Sequence, residues 1–590
     1  MPVLKLALGH RCFSAYVVFV CGVLAAWLGT HQVCAEGGAD EGRGALHRSN
    51  IRLTVERNCI IEWSCYSEIE YRDAFADVEL NAVLTDADGA EFRLPAFWAG
   101  GNEWRFRFSS PHLGEYQFRT ACNDVSNERL HARRGRISVI EYTGGNDLLA
   151  HGPLKLYQEG RLFRHQDGHP FLWLADSWWH GMTSRLDWPD GFQLLTADRK
   201  EKGFSVIQLA IAFPCDIQSF DPRGANAAGH AWTPGYQTIN PEYFDLVDQR
   251  IAWLVREGLV PNIVGAWGYY LPEMGVEKMK RHWRYLIARY GAYPVTWTLC
   301  GEAVLPWYLL DNQAAASARQ SQREGWGEVA SYVRAIDPYQ RLRSVHPGPA
   351  SGGLRPLADM DALDFVMIQP GHKDASVATA ADHLDAARKL YPGRPVLIGE
   401  ACFEGMNGEC KEKIQRILFW SSMLTGAPGF SYGADGIWQF NCRDNPFGPS
   451  PGGQTWGNAA WDDAYRWPGS AHVGAGRRIL LGYSWEKLTS NPEWISNPAT
   501  IDEPRGAYAA GIGDRMRMIY FPNGVAPWRV PPVVRQLAPN TSFQARYIDP
   551  MSTQVFPLGE ITTDAQGGWE APPTPVLHDW LLVLTGAERG

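Results

Sequence analysis

The chain has 590 residues, which is too long for a single compact core, so we expect several domains. Its 45% apolar and 20% charged residues are typical of a folded globular protein and exclude a wholly disordered chain. A net charge of −9 and a pI near 6.0 provide no basic surface, which argues against nucleic acid as a partner.

Residues 1–35 have the pattern of an export signal. Lys5 and Arg11 precede the apolar run FSAYVVFVCGVLAAWLGT, and Val33-Cys34-Ala35 supplies small residues at a plausible cleavage point. An uncleaved membrane anchor is the alternative, because 18 apolar-leaning residues nearly span a bilayer. No other stretch is apolar over such a length. We therefore expect a secreted or periplasmic protein without a membrane span after cleavage of the signal.

Residues 50–145 contain strand patterns only. DVELNAVLTD and WRFRFSS alternate between apolar and polar residues, and turns are predicted at Asp88-Gly89 and Gly100-Gly101. The segment SSPHLGEYQFRT is typical of an immunoglobulin-like strand pair. We expect a small antiparallel β-sandwich with immunoglobulin-like topology.

From residue 155 to residue 488 short apolar strands alternate with amphipathic helical segments. Eight such units indicate a (β/α)₈ barrel. The predicted strands are residues 171–176, 204–211, 259–265, 294–300, 341–346, 364–369, 395–400 and 428–433. The clearest predicted helices between them are residues 189–203, 241–258, 272–290 and 409–426.

Residues 490–590 return to strand patterns. RMRMIYFPNG, SFQARYIDPMS and WLLVLTGA are separated by turn residues, which predicts a second β-sandwich. The fold class is therefore α/β, a central barrel flanked by two β domains. Eight cysteines lie outside the leader, and an even count in an exported chain allows disulfides without giving their connectivity. No CxxC pair has a histidine nearby, so no structural zinc site is expected.

The loops after the carboxyl ends of barrel strands build the active site in this fold. Tyrosine and tryptophan are abundant here, and their flat rings are suited to stacking on sugars as well as to filling cores. The candidates at the strand tips are polar or aromatic. In chain order they are Asp176, Trp179, Gln208, Trp267, Glu302, His346, Gln369, Glu400, Tyr432 and Trp438.

Two of these tips, those of strands 4 and 7, are Gly-Glu after an apolar run. Glu302 and Glu400 are suited to glycoside hydrolysis, in which a carboxylic acid protonates the leaving oxygen and a carboxylate attacks the anomeric carbon. Glu404 is a rival nucleophile that spacing does not exclude. His372 is expected to be a packing histidine. Asp216 follows strand 2 without an assigned role, and no metal or organic cofactor is implied.

Several motifs resemble, in order, the apiosidase-like glycoside hydrolase family. They are FLWLADSWW, ADRKEKGFSVIQ, WTLCGE, RPVLIGEACFEG and GAPGFSYGADGIWQF. In that family an immunoglobulin-like domain often precedes the barrel and a β domain follows it. The resemblance implies a retaining, exo-acting or debranching glycosidase with Glu400 as nucleophile and Glu302 as acid/base. The family's acid is commonly an Asp after Gly-Gly, whereas this chain has Cys300-Gly301-Glu302, so the sugar is left open.

The sequence thus predicts an exported glycoside hydrolase acting on side chains of plant or microbial polysaccharide. Inversion instead of retention is a variant of this hypothesis. An alternative from another class is a non-catalytic carbohydrate-binding or cell-surface scaffold protein, because two flanking β domains and many tryptophans also suit binding alone.

Overall fold

The computed structural model describes residues 51–157, 160–348, 354–500, 502–522 and 531–586. The predicted export signal, residues 1–35, lies outside these ranges. No helix in the described ranges is both long and apolar enough to cross a membrane. The eight cysteines within the described ranges are all free thiols, so the disulfides that their even number allows are not formed.

The N-terminal domain consists of two facing sheets. The five-stranded sheet contains, in spatial order, Ile51–Glu56, Arg134–Ile140, Gly114–Cys122, Leu80–Thr85 and Glu91–Pro95. The three-stranded sheet contains Ile61–Tyr66, Glu103–Phe108 and Phe97–Gly100. Apolar residues of both sheets form one core. The immunoglobulin-like topology stays a prediction.

One pairing in this domain differs from the predicted antiparallel arrangement. Ile51–Glu56 runs parallel to Arg134–Ile140. The next strand in the chain, Ile61–Tyr66, lies in the other sheet, so no hairpin turn forces the first strand to be antiparallel to its neighbour.

The middle of the chain forms a sheet of eight strands, and every ladder in it is parallel. We number them barrel strands 1 to 8: Trp173–Trp178, Val206–Ala210, Val260–Val264, Thr296–Thr298, Arg343–Ser344, Val366–Ile368, Val396–Ile398 and Gly429–Tyr432. Their spatial order is 5-4-3-2-1-8-7-6, so strands 5 and 6 form the seam of the barrel. The Asp364 amide donates to the Arg343 carbonyl over 2.8 Å, and the Ser344 hydroxyl donates to the Phe365 carbonyl over 2.9 Å. These bonds bring the two edges together and confirm the predicted barrel.

A small sheet that the sequence did not predict closes the amino-terminal end of the barrel. It consists of Leu154–Leu156, Phe163–His165 and Pro170–Phe171. Phe163 and Phe171 pack with Trp173, Phe365 and Leu397 inside the barrel. Because this end is filled, the opposite end is left for the site.

Helices surround the barrel as predicted. The longer ones are Asp190–Lys202, Pro241–Arg256, Val276–Tyr290, Asn312–Ile336, Ser376–Leu390, Glu412–Leu424 and Pro468–Leu481. The predicted helix 272–290 is divided, because Tyr270–Met274 ends at Gly275, whose φ of 84° no regular helix allows. The other short α-helices in the described ranges are Ala74–Asp77, Asp147–His151 and Trp461–Ala464.

The C-terminal domain has a six-stranded antiparallel sheet. In spatial order its strands are Thr489–Ser490, Tyr508–Ile512, Met516–Phe521, Trp580–Gly586, Ser542–Ile548 and Val555–Thr562. A ribbon of two short strands, Val533–Val534 and Trp569–Glu570, lies beside it. The run WLLVL is buried at every position, because one face packs on the barrel helices and the other on the ribbon.

Candidate active site

Alternation along barrel strand 1 points Asp176 away from the barrel interior. Its carboxylate is fully buried and accepts from the Arg199 guanidinium over 2.6 Å and from the Trp178 indole over 2.8 Å. Arg199 lies on helix Asp190–Lys202. The pair therefore fastens this helix to strand 1, and the structure does not bring Asp176 to the strand-tip cleft.

Tyr432, opposite Asp176 in the register of strands 8 and 1, also faces outward. Its hydroxyl donates to Oε2 of Glu404 over 2.5 Å. Oε1 of Glu404 accepts from the Gly469 amide over 3.0 Å, at the start of helix Pro468–Leu481. Glu404 is thus bound between a strand and a helix outside the barrel, which removes the geometric basis for the rival nucleophile.

Inward-facing polar groups form the floor of the cleft. Gln208 is fully buried, and its Nε2 donates to the Gly399 carbonyl over 2.8 Å and to the Ser177 hydroxyl over 3.2 Å. The Gln208 side chain therefore holds the backbone immediately before Glu400. Its Oε1 has no hydrogen-bond partner among the described residues.

The glycine before each glutamate has a packing reason. A Cβ on Gly399 would lie 2.6 Å from Cβ of Met367, and one on Gly301 would lie 2.2 Å from the Trp267 ring. No side chain larger than hydrogen fits at such distances. Both Gly-Glu tips therefore follow from close contact between the strand ends and their neighbours.

Glu400 lies at the tip of strand 7 with four polar side chains around its carboxylate. Oε2 accepts from the Trp179 indole over 3.0 Å and lies 3.3 Å from Nε2 of His346. Oε1 accepts from Nε2 of Gln369 over 2.7 Å and lies 3.2 Å from Nε2 of His372. The side chain is only 4% exposed, so these neighbours replace water almost completely.

These neighbours keep Glu400 ionised. Burial raises its pKa, but the charge of His346 and the hydrogen bonds and charge of His372 outweigh burial and lower the pKa to about 2. Burial lowers the pKa of His372, whereas its bond to Glu400 raises it, with a net increase. His372 is thus a partner of the carboxylate, and the expectation that it only fills space was wrong.

Glu302, at the tip of strand 4, is in a different electrostatic environment. Its Oε2 accepts from the Trp267 indole over 3.2 Å, and part of the residue stays open to solvent. Desolvation of the carboxyl and the nearby charge of Glu400 raise its pKa above the ordinary value. The backbone at Glu302 has a φ of 43°, a left-handed conformation uncommon for this residue type.

Aromatic rings connect the two carboxyl groups. Trp179, which contacts Glu400, and Trp267, which contacts Glu302, have ring centroids 5.4 Å apart. The His346 ring lies 5.7 Å from Trp179 and 5.9 Å from Trp267. The two glutamates therefore share one wall of rings.

A second aromatic group borders the cleft at the loops after strands 7 and 8. Trp438 stacks on Phe403 with centroids 6.2 Å apart, and Phe403 lies 5.1 Å from the His372 ring. The Trp438 indole nitrogen is buried without a partner among the described residues. Trp438 is thus placed at the border of the site, one ring removed from His372.

The structure brings most of the predicted site together. Trp179, Trp267, His346 and Gln369 surround the two glutamates, Gln208 lies beneath, and Trp438 lies at the border. Asp176 and Tyr432 do not reach the cleft. Sequence reasoning made His372 a packing histidine and gave no role to Asp216 or Tyr308, although His372 and Asp216 follow strand tips, which was the available signal. No group of three or more metal-ligating side chains occurs within the described ranges.

Comparison with known proteins agrees with this geometry. A family model described as "Apiosidase-like, catalytic domain" matches residues 157–487, more than half of the chain. This chain belongs to the apiosidase-like family. It is therefore a glycoside hydrolase, with the barrel as its catalytic domain. A domain of unknown function, DUF5060, matches residues 54–123, within the N-terminal sandwich.

Solved glycoside hydrolases have the fold of this apiosidase-like chain. One from Bacteroides vulgatus, described as a candidate glycoside hydrolase, is 16% identical with a TM-score of 0.65, covering 91% of this chain and 100% of that one. A family 5 glycoside hydrolase from the same organism is 20% identical with a TM-score of 0.60, covering 74% and 93%. No curated protein sequence matches.

Proposed function

We propose that this protein is an exported glycoside hydrolase that removes sugars from side chains of plant or microbial polysaccharides by retaining double displacement. Glu400 is the nucleophile and Glu302 the general acid/base. The observation that carries the proposal is geometric: the two carboxyl groups lie at the tips of strands 4 and 7 along one wall of rings, with four polar side chains at Glu400 and one indole donor at Glu302. The opposite directions of their pKa shifts agree with one ionised and one protonated carboxyl group.

In the first step Glu400 attacks the anomeric carbon while Glu302 gives its proton to the departing oxygen, and a covalent glycosyl-enzyme forms. The Trp179 and Gln369 donors hold the Glu400 oxygens in place before attack. In the second step Glu302, now ionised, takes a proton from water, which displaces Glu400 and restores the starting state. The aromatic wall excludes bulk water from the carboxyl pair and strengthens electrostatic interactions within it.

The lining of the site supports a hydroxyl-rich ligand. Several buried polar atoms around Glu400 have no partner among the described residues and are available to sugar hydroxyls. They are Nδ1 of His346, Nδ1 of His372, Oε1 of Gln369 and Nε1 of Trp438. Together with the indole rings they offer the combination of polar groups and flat apolar surface that sugars require.

The test is hydrolysis of 4-nitrophenyl glycosides and branched pectic and arabinan-type polysaccharides by full-length protein. Glu400→Gln should lower kcat by about 10⁴-fold or more, because the amide cannot form the glycosyl intermediate. Glu302→Gln should lose activity on polysaccharide but keep the first step on dinitrophenyl glycosides, whose leaving group needs no proton.

Glu404→Gln is the matched control, because it makes the same change four residues from Glu400 on a carboxyl group bound outside the barrel. It should retain turnover. NMR of the first-formed product should show the substrate's anomeric configuration. Near-normal turnover by Glu400→Gln would remove it from this role, and an inverted product would contradict double displacement.

A further inference from the structure

The long loop after strand 8 passes over the mouth of the barrel, and we call its segment 442–457 the strap. Arg185, in the loop after strand 1, donates to the Asn445 carbonyl over 2.8 Å. Arg223, in the loop after strand 2, donates to the Phe447 carbonyl over 2.9 Å. Both guanidinium groups also lie over the Phe447 ring. Two arginines therefore fasten the first half of the strap to the rim.

The second half of the strap connects the loops that carry the two glutamates. A Cβ on Gly452 would lie 3.6 Å from Cβ of Tyr308, in the loop after strand 4. The Tyr308 hydroxyl donates to Asp216 over 2.7 Å, which ties that loop to the loop after strand 2. Farther along the strap, the Trp456 carbonyl accepts from the amide of Asn407, in the loop after strand 7, over 3.3 Å. Because four residues span at most about 14 Å, the strap crosses from the acid's loop to the nucleophile's loop in one short step.

The Trp456 side chain extends the aromatic border of the cleft. Its ring centroid lies 6.3 Å from that of His372, whose Nε2 is 3.2 Å from Oε1 of Glu400. The residue is partly exposed, but its Nε1 is buried and has no hydrogen-bond partner among the described residues. Leaving a buried donor unpaired costs free energy. Nδ1 of the neighbouring His372 is also without a partner there. A ring and two polar atoms are thus available to a ligand on this side of the cleft.

The contacts of Glu400 indicate which part of a substrate this side would meet. Oε2 of Glu400 accepts from Trp179, whose ring lies 5.4 Å from that of Trp267, the donor to Glu302. Oε1 lies beside His372 instead. In double displacement the leaving group departs on the side of the acid, and the sugar stays on the nucleophile. The side of His372, remote from the acid, therefore meets the sugar that is cleaved.

We propose that Trp456 binds the cleaved sugar, with its ring against the sugar face and its indole N–H donating to a hydroxyl, and that it selects this sugar rather than the leaving group. The proposal rests on the proposed function and adds a specificity-determining residue to the same site. An indole offers a flat apolar surface to the C–H groups of a sugar, and a hydroxyl oxygen is the acceptor that its N–H lacks. Arg185 and Arg223 are positioning residues, because they act through the strap.

The experiment first measures kcat/KM of full-length protein on 4-nitrophenyl arabinosides, xylosides and galactosides of both anomers. For the sugar that the wild type accepts, it then compares the 4-nitrophenyl with the 2,4-dinitrophenyl glycoside and measures the inhibition constant Ki of the free monosaccharide. Trp456→Ala should lower kcat/KM by about 30-fold, as loss of a hydrogen bond and an aromatic contact predicts. The factor should be the same for both leaving groups, and Ki should rise by a similar factor.

Two phenylalanine variants separate a substrate contact from a fold defect. Trp456→Phe keeps a ring and removes the N–H, so kcat/KM should fall by only about 5-fold, the loss expected for one neutral hydrogen bond. Trp461→Phe is the matched control nearby in the chain, because it makes the same change on a ring that packs against Phe440 and Tyr465. It should keep both kcat/KM and Ki.

Trp456→Ala indistinguishable from wild type overturns the inference. Should this variant not fold, Trp456→Phe carries the test, and unchanged kcat/KM and Ki in it overturn the inference as well. A loss confined to one leaving group overturns it, because the ring would then contact the departing group. A lower kcat with unchanged Ki also overturns it, because the ring would then only support His372.

In each of these cases a dead Glu400→Gln leaves the proposed function standing. Absence of wild-type turnover on the whole panel and on the polysaccharides overturns both the inference and the proposed function.

Discussion

Glu400 and Glu302 are the same side chain in different surroundings, and the surroundings assign their roles. Glu400 has two histidines and two neutral donors at its oxygens, whereas Glu302 has one indole donor and the charge of Glu400 nearby. For the proposed mechanism kcat/KM should rise as pH passes the Glu400 pKa, about 2. It should fall as pH passes the raised pKa of Glu302, which must be protonated to act as the acid.

The acidic limb of this profile should depend on His346. The charge of His346 lowers the Glu400 pKa and so opposes the effect of burial. His346→Gln removes this charge, so the Glu400 pKa should rise and the acidic limb should move to higher pH. The measurement is kcat/KM against pH between about 3 and 8, where the wild type, with its limb near pH 2, should show no acidic decline and His346→Gln should show one. His383→Gln, on helix Ser376–Leu390, makes the same change away from the site and should leave the limb in place. A fixed acidic limb in His346→Gln would contradict the electrostatic role.

The basic limb should depend on Trp267. Its indole hydrogen bond favours the charged form of Glu302 and lowers the pKa of that carboxyl. Trp267→Phe removes the donor and keeps a ring, so the Glu302 pKa should rise further and the basic limb should move to higher pH. The same pH series measures it. A shift in the opposite direction would show that the indole does not stabilise the ionised acid.

At the level of strands and helices, the sequence allowed the eight barrel strands to be counted, but it did not show in which direction each side chain points. Eight apolar runs separated by helical patterns predicted the eight strands, because burial on both faces produces such runs. Glu302 and Glu400 were also predictable, since both lie beyond the last paired residue of their strands, where alternation no longer constrains the side chain.

Because strands 1 and 8 are buried on both faces, the sequence pattern did not show which way Asp176 and Tyr432 point. In a half-exposed strand, polar and apolar residues alternate and reveal each face, but strands 1 and 8 are buried at all positions. Asp176 and Tyr432 both point outward toward Arg199 and Glu404. His372 and Asp216 depend on loop conformation, which one sequence does not encode in a periodic pattern.

Because Asp176 points out of the barrel, we expect its substitution to lower the stability of the fold and to leave substrate affinity unchanged. Asp176→Asn leaves a buried guanidinium with Asp198 as its one acidic partner among the described residues, and we expect a loss of about 3 kcal/mol in the free energy of unfolding. Denaturant unfolding measures the loss, and KM should stay unchanged. Glu257→Gln, which breaks a surface pair with Lys200 on the same helix, should cost under about 1 kcal/mol. A raised KM with unchanged stability would restore Asp176 to the substrate site.

Across the whole molecule, both flanking domains are attached to barrel helices by buried ion pairs. In the N-terminal sandwich, Arg107 pairs with Asp248 of helix Pro241–Arg256 and donates to the Arg289 carbonyl over 2.7 Å. In the C-terminal sheet, Asp579 pairs with Arg416 of helix Glu412–Leu424. Burial on both faces of the C-terminal sheet makes it part of the barrel's apolar core, so we expect one cooperative unfolding transition.

Asp579 is the residue on which this coupling can be tested. Its carboxylate accepts from Arg416 over 2.7 and 2.8 Å and from the Tyr520 hydroxyl over 2.9 Å, and the residue is fully buried. Burial raises its pKa, but Arg416 and Tyr520 lower it below the ordinary value. The pair therefore stabilises the fold above that value, and the stabilisation is lost as pH falls through the lowered pKa.

Asp579→Ala leaves the buried Arg416 guanidinium without its carboxylate partner and should lower the free energy of unfolding by about 3–5 kcal/mol. In calorimetry of the full chain at neutral pH, the single transition should move to lower temperature as a whole. kcat/KM at 25 °C should stay unchanged, because the ion pair joins helix Glu412–Leu424 to the C-terminal sheet outside the barrel and contacts neither Glu302 nor Glu400. Asp462→Asn, in an exposed pair with Arg443, should leave the transition in place. A separate early transition for the C-terminal sheet, with the barrel melting as before, would show that the sheet folds independently.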